Sequence, residues 1–74
     1  MTLRAVTLKE IQEIFAVTDA IGISREALTI PLTPGRPGSV RRLATGKLEI
    51  VVDAEMPLEE WLKELPARIR AAQA

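Results

Sequence analysis

The 74-residue chain contains no cysteine, no histidine and no tyrosine, and it has a single tryptophan and a single phenylalanine. Without cysteine there is no disulfide, and without cysteine or histidine the usual structural zinc site is excluded. The remaining acid–base groups are carboxylates and lysines, and the serines and threonines have no histidine to activate them. We therefore expect a protein that is not an enzyme and that uses no metal or cofactor.

Long apolar runs are also lacking. No stretch approaches the roughly 18 apolar residues that a membrane-spanning helix needs, and the first residues lack the apolar region of a secretory signal. We expect a cytoplasmic protein with no membrane contact. Asparagine is absent and only two glutamines occur, Gln12 and Gln73. Because depletion of thermolabile residues is typical of thermophiles, a thermophilic source is a hypothesis.

The charges cancel overall but are separated along the chain. Ten basic residues balance ten acidic ones, which argues against a dedicated nucleic-acid binder with a strongly basic surface. Residues 27–48 carry four basic side chains and no acidic one, whereas residues 49–64 carry six acidic side chains against Lys63. Such blocks can attract a partner or a second copy of the chain.

The size predicts one domain, residues 1–74. A chain this short buries only about 60% of the surface that its unfolded form exposes, so its own core gives a small stability margin. Because neither a disulfide nor a zinc site compensates, we expect self-association, most simply as a homodimer.

An N-terminal helix is predicted from Thr7 onward. Thr7 and Glu10 have the spacing of a capping box, and apolar residues then recur at three- and four-residue steps up to Ile21. Gly22 follows as the expected C-terminal stop.

A small antiparallel sheet of two to three strands is predicted next. Residues 28–32 alternate as an edge strand, residues 33–38 form a Pro/Gly-rich loop, and residues 39–44 and 47–53 form the arms of a central hairpin at 39–53. Within a three-stranded meander, Leu48, Ile50 and Val52 would face the helices. Val51 lies on the opposite face, where a second copy could cover it.

The last element is a helix beginning at Pro57, which contains Pro66. Proline inside a helix removes a hydrogen bond and clashes with the preceding turn, so we expect a helix that is kinked or broken at Pro66. The fold class is therefore α+β, with the sheet between an N-terminal and a C-terminal helix.

Two registers of the hairpin are consistent with the sequence. A two-residue turn at Thr45–Gly46 pairs Arg42 with Glu49 and Leu43 with Leu48. A three-residue loop with Gly46 in the left-handed conformation instead places Arg41 opposite Glu49. We favour the first register because it pairs two leucines.

Candidate partner- or anion-binding residues lie in and beside this hairpin. Four basic side chains, Arg36, Arg41, Arg42 and Lys47, could form an anion site, because arginine binds carboxylate and phosphate in a bidentate manner. The alternative, which we favour, is a solvated hairpin whose arginines pair with neighbouring acids. Arg36 and the arginine not paired with Glu49 are then the positions of interest.

Trp61 lies on the apolar stripe of the C-terminal helix, where a core position is the expectation. Because tryptophan is also frequent among residues that dominate binding interfaces, Trp61 is included as a candidate partner contact.

Residues 17–28, VTDAIGISREAL, resemble the helix-turn-helix DNA-binding motif. Gly22 stands where the motif has its turn glycine, and Arg25 and Glu26 stand at the start of its recognition helix. The resemblance implies a nucleic-acid-associated regulator. A helix C-cap followed by a turn capped by Ser24 accounts for the same residues.

The sequence thus favours a small non-enzymatic module that binds a protein partner or itself. A nucleic-acid-associated regulator, using residues 17–28 or the arginine hairpin, is the alternative. An accessory subunit of an enzyme complex is a second alternative.

Overall fold

A computed structural model describes residues 5–73. The predicted α+β fold is confirmed, with an N-terminal helix, a three-stranded sheet and a C-terminal helix. The elements in chain order are α1 (Leu8–Ala20), a 3-10 turn (Arg25–Ala27), β1 (Leu28–Thr29), β2 (Ser39–Arg42), β3 (Leu48–Val51) and α2 (Leu58–Gln73).

Helix α1 begins and ends as the sequence predicts. The Thr7 hydroxyl accepts from the Glu10 amide at 3.2 Å, and the Glu10 carboxylate accepts from the Thr7 amide at 3.0 Å, which completes the capping box. At the other end, the amide of Ile23 donates to the carbonyl of Thr18, and Gly22 adopts φ 81°. This is a Schellman ending, in which glycine takes the left-handed conformation at little steric cost.

The sheet is mixed, so the expected all-antiparallel meander is wrong. The strand order is β1-β3-β2, with β1 parallel and β2 antiparallel to the central strand β3. The reason lies in the Pro/Gly-rich loop. The chain runs alongside β3 from Leu28, opposite Leu48, to Gly35, opposite Asp53, and then crosses the end of β3 before returning as β2.

Two glycines allow the crossing chain to approach the end of β3. A Cβ atom at Gly35 would lie 2.6 Å from a methyl carbon of Val51, and one at Gly38 would lie 2.6 Å from the backbone nitrogen of Asp53. The Gly35 amide donates to the Val52 carbonyl at 2.8 Å. Val51 is half-buried, and this loop of its own chain packs against it, on the face where the sequence suggested a second copy.

The carboxylate of Asp53 joins the crossing loop to the segment that leads into α2. One oxygen accepts from the Gly38 amide at 3.0 Å, and the other accepts from the amides of Glu55 and Met56 at 2.8 and 2.9 Å. Asp53 is 8% exposed. The hydrogen bond from Gly38, followed by those from Glu55 and Met56, lowers the pKa of Asp53 below its ordinary value of 3.8.

The core lies between the sheet and the two helices. As predicted, Leu48, Ile50 and Val52 of the central strand segment are buried on one face. They belong to one apolar cluster with Val6, which precedes α1, and with four side chains of the two helices, Ile14, Trp61, Leu65 and Ile69.

Helix α2 runs without a break from Leu58 to Gln73 with Pro66 inside it, so the alternative of two separate helices is wrong. Trp61 and Leu65 before the proline and Ile69 after it are all buried on one stripe of this helix. Burial of that stripe on both sides of Pro66 favours continuous helical phase despite the missing amide. The kink remains a prediction.

We predict that Gly38→Ala lowers the free energy of unfolding by about 3 kcal/mol or more, the upper part of the range for overpacking. The added carbon would meet backbone atoms of Asp53, which cannot move without opening the loop. Gly22→Ala is the control, because its added carbon meets nothing within 4 Å. There only the left-handed backbone is strained, at about 1–2 kcal/mol. Urea unfolding followed by Trp61 fluorescence measures both, and an equal loss in the two variants would contradict this packing.

We predict that Asp53→Asn destabilises the fold at neutral pH, because an amide nitrogen would replace one of the accepting oxygens. Since the folded-state pKa of Asp53 is lowered, its ionised form stabilises the fold above pH 3.8, and this contribution is lost as the pH falls through the folded-state pKa. The stability difference between wild type and variant should therefore shrink on acidification. Urea titrations across this pH range test it, and a difference independent of pH would contradict it. The control is Glu26→Gln, at an exposed carboxylate with no ion pair within residues 5–73.

Candidate binding cleft

The hairpin adopts the register that the sequence made second choice. Arg41 lies opposite Glu49 and Val40 lies opposite Ile50, so the favoured pairing of Arg42 with Glu49 is wrong. The turn decides the register. The Leu43 amide donates to the Lys47 carbonyl at 2.7 Å and the Gly46 amide donates to the Leu43 carbonyl at 2.9 Å.

These bonds define a three-residue loop with Gly46 at φ 90°. The left-handed glycine therefore outweighs the pairing of two leucines that favoured the shorter turn.

The register separates the two neighbouring arginines. Arg41 points to the sheet face opposite the helices, where its Nε lies 2.8 Å from Oε1 of Glu49. Arg42 lies opposite Leu48, on the helix side, and is exposed at the rim of that face. Within residues 5–73 no carboxylate pairs with Arg42. The sequence expectation that Glu49 would pair with only one of the two hairpin arginines is confirmed, but the paired arginine is Arg41 and not Arg42.

Most of the other arginines form an ion pair with a carboxylate of the same chain. The Arg25 guanidinium lies 2.9 Å from an Asp19 oxygen and also stacks over the Phe15 ring. Arg68 lies 2.9 Å from a Glu64 oxygen and stacks over the Trp61 ring at 4.8 Å. Arg36 forms an exposed 3.3 Å pair with Glu55. Among the described arginines, only Arg42 and Arg70 lack an ion pair.

These two arginines line one cleft, each in a different part of it. The cleft consists of two neighbouring hollows of about 250 and 320 Å³ that share Ile23 and Gln73. The first lies between the end of α1 and the end of α2, and the second lies between the 3-10 turn and the hairpin. We call the two hollows together the basic cleft. Its remaining lining residues are Ile21, Gly22, Pro66, Ile69 and Arg70 in the first hollow and Ala27, Arg42, Gly46 and Leu48 in the second.

Sequence reasoning found Arg42 but missed Arg70. A signal for Arg70 was present, because Pro66, Ile69, Arg70 and Gln73 follow the three- and four-residue spacing of one helix face. What the sequence alone could not show is that the turn at Ile23 lies beside this face. That contact requires α1 and α2 to end on the same side of the core.

The remaining candidates lie elsewhere or have other roles. Arg36 is on the crossing loop, paired with Glu55, and Arg41 is paired on the far face of the sheet. Lys47 is exposed beside Gly46 of the cleft. Trp61 is fully buried, so its ring serves the core and is not presented to a partner in this fold. Its indole nitrogen has no hydrogen-bond acceptor in the described chain.

The segment that resembles a helix-turn-helix motif lacks a recognition helix. Arg25–Ala27 form a single 3-10 turn, capped by the Ser24 hydroxyl, and the chain enters β1 at Leu28. Arg25, the basic residue that would begin the recognition helix, is held by Asp19 and Phe15. The capped turn is thus the structure that residues 17–28 adopt.

The basic cleft combines two arginines with aliphatic side chains that retain accessible surface, which we call the aliphatic floor: Ile21, Ile23, Ala27 and Pro66. Such a surface attracts a carboxylate or phosphate through charge-assisted hydrogen bonds, while the floor accommodates an apolar group. Among residues 5–73, no three acidic side chains lie together in a way that could hold a metal ion. None of the helices described for residues 5–73 is long and apolar enough to span a membrane. The chain matches no protein-family model, no curated protein and no solved structure.

We predict that Arg42→Ala changes the free energy of unfolding by no more than about 0.5 kcal/mol, as expected for an exposed residue without a partner. Arg68→Ala should cost about 1 kcal/mol, because it loses both an ion pair and the stacking on Trp61. Urea unfolding of the two variants measures the difference. An equal or larger loss for Arg42→Ala would show that Arg42 supports the fold itself.

Proposed function

We propose that this chain is a non-enzymatic interaction module that binds protein, including a second copy of itself, through the basic cleft. The observation that carries this proposal is the placement of the unpaired arginines. Arg25, Arg36, Arg41 and Arg68 have carboxylate partners, whereas Arg42 and Arg70 have none in residues 5–73 and line the same cleft. A partner that carries an anion and an apolar group could therefore contact both the two arginines and the aliphatic side chains beside them.

A second copy can supply the anion. Glu59 lies in the first turn of α2 and has no ion pair within the described chain, whereas Arg70 lies in the last turn of the same helix. Eleven residues separate them, which corresponds to about 16 Å along the helix axis. Both side chains are exposed. The helix therefore carries an unpaired negative charge near its start and an unpaired positive charge near its end.

This arrangement fits an antiparallel pair of α2 helices related by a two-fold axis. In such a pair Glu59 of each copy faces Arg70 of the other, so that both contacts form at once, as an isologous interface requires. The antiparallel arrangement also places opposite ends of the two helix dipoles together. The homodimer expected from the sequence would then be a dimer held by α2, with the sheet face left open.

The other functions inferred from the sequence have less support. The nucleic-acid alternative has no recognition helix in residues 17–28, and of the hairpin arginines only Arg42 is without an acidic partner in the described chain. Nothing in the described residues favours the accessory-subunit alternative over a free-standing module. The cytoplasmic location and the thermophilic source remain predictions.

A charge exchange tests the proposed dimer. We expect Arg70→Glu, like Glu59→Arg, to weaken self-association about tenfold or more, because like charges would face each other across the two-fold axis. The double variant, Glu59→Arg with Arg70→Glu, should restore association. Lys9→Glu is the matched control, since it changes net charge as Arg70→Glu does but lies in the first turn of α1. Sedimentation over a range of protein concentrations gives the association constants.

Salt provides the second arm of the same experiment. Association should be stronger at about 0.01 M salt, where the Debye length is about 30 Å, than at about 1 M, where it is about 3 Å. A monomer at both salt concentrations would overturn the self-association proposal. Association that survives Arg70→Glu unchanged would locate the interface away from the cleft.

A further inference from the structure

The two hollows of the basic cleft repeat one chemical arrangement. Each is lined by one arginine that has no ion pair within residues 5–73, Arg70 in the first hollow and Arg42 in the second. Each also has aliphatic side chains with accessible surface, namely Ile21 and Pro66 in the first hollow and Ala27 in the second. Ile23 lies between the hollows and contributes to both. An anion held at either edge would therefore have an apolar surface directly beside it.

Building on the proposed binding role of the basic cleft, we propose that it recognises the free C-terminal end of a polypeptide whose last residue is aliphatic. The terminal carboxylate would bind the guanidinium groups, and the terminal side chain would lie on the aliphatic floor. Such a residue carries the carboxylate and the aliphatic side chain on one Cα, which suits a hollow lined by an arginine and by aliphatic side chains. The second hollow, about 320 Å³, lies at the lower end of the volumes found for small-ligand sites, and the first, about 250 Å³, lies just below it.

An internal acidic side chain fits less well. In a glutamate or aspartate the side chain itself carries the carboxylate, so no aliphatic side chain is left to contact the floor. Inorganic phosphate likewise satisfies the guanidinium groups but not the floor. Burying apolar surface in the hollows contributes about 25 cal/mol for each Å² removed from water, and only a ligand with an aliphatic side chain obtains this contribution.

Gln73 supports recognition of a chain end rather than a free fatty acid. Its side chain lies where the two hollows meet, is exposed, and offers both a donor and an acceptor. The last peptide group of a polypeptide needs one of each, because its N–H donates and the preceding carbonyl accepts. Residues 23 and 73, together with the two arginines, would thus contact different parts of one terminal residue.

The experiment uses the full isotope-labelled chain and short synthetic peptides. The first probe is N-acetyl-Ala-Ala-Leu with a free carboxylate, the second is the same peptide as its C-terminal amide, and the third is N-acetyl-Ala-Glu-Ala amide. Inorganic phosphate is the fourth. Amide resonances of Ile23, Gly46 and Gln73 report on the cleft. We expect the free-carboxylate peptide to shift them saturably and to bind about tenfold or more tightly than each of the other three probes.

Variants assign the binding to the two arginines. Arg42→Gln and Arg70→Gln should each weaken binding of the free-carboxylate peptide about tenfold or more. Lys9→Gln also removes one positive charge, but Lys9 lies in the first turn of α1, outside the cleft, so this variant should bind the peptide as the wild type does. Equal binding of the amide, of the glutamate peptide or of phosphate, or no saturable shift with any probe, would overturn this inference. Because Arg70 serves both proposals, two other variants separate them: Glu59→Gln should weaken self-association and leave peptide binding unchanged, whereas Arg42→Gln should weaken peptide binding and leave self-association unchanged.

Discussion

The carboxylate of Asp53 is the interaction on which the rest of this small fold depends. It accepts three backbone amide hydrogen bonds, one from the loop that crosses the end of β3 and two from the segment leading into α2. Because backbone amides at a buried position need acceptors, this one side chain satisfies donors from two separate parts of the chain. It thereby fixes where β2 starts relative to β3 and where the chain turns toward α2. The glycine at position 38 is required by the same contact, since any side chain would collide with Asp53.

The chemistry of the cleft follows from this arrangement. With Ser39 placed opposite Val51 at one end of the hairpin and Gly46 left-handed at the other, the register between them is determined. That register pairs Arg41 with Glu49 and leaves Arg42 on the helix side, beside the end of α2. A shift of one residue would exchange the two arginines, because successive side chains of a strand point to opposite faces. The cleft then would lose one of its two cations.

Local structure was predictable from the sequence where a short-range signal determines it. The capping box of Thr7 and Glu10, the stop at Gly22 and the turn capped by Ser24 each depend on residues a few positions apart, and each is present in the structure. The parallel pairing of β1 was not predictable, because it depends on a loop passing close to the end of a strand far along the chain. Arg70 was missed for a related reason, since its neighbours in the cleft come from three separate segments. The continuous helix through Pro66 reflects tertiary burial overriding a local preference.

The register of the hairpin is the central claim, and nuclear magnetic resonance tests it directly. In an antiparallel pair, the residues that are not hydrogen-bonded to each other have the closest Cα atoms, about 4.5 Å apart, and give strong cross-strand contacts between Hα protons. The structure predicts such contacts between Val40 and Ile50 and between Arg42 and Leu48. Contacts between Leu43 and Leu48 and between Arg41 and Ile50 instead would show the shifted register, with Arg42 paired to Glu49, and would contradict the account of the basic cleft.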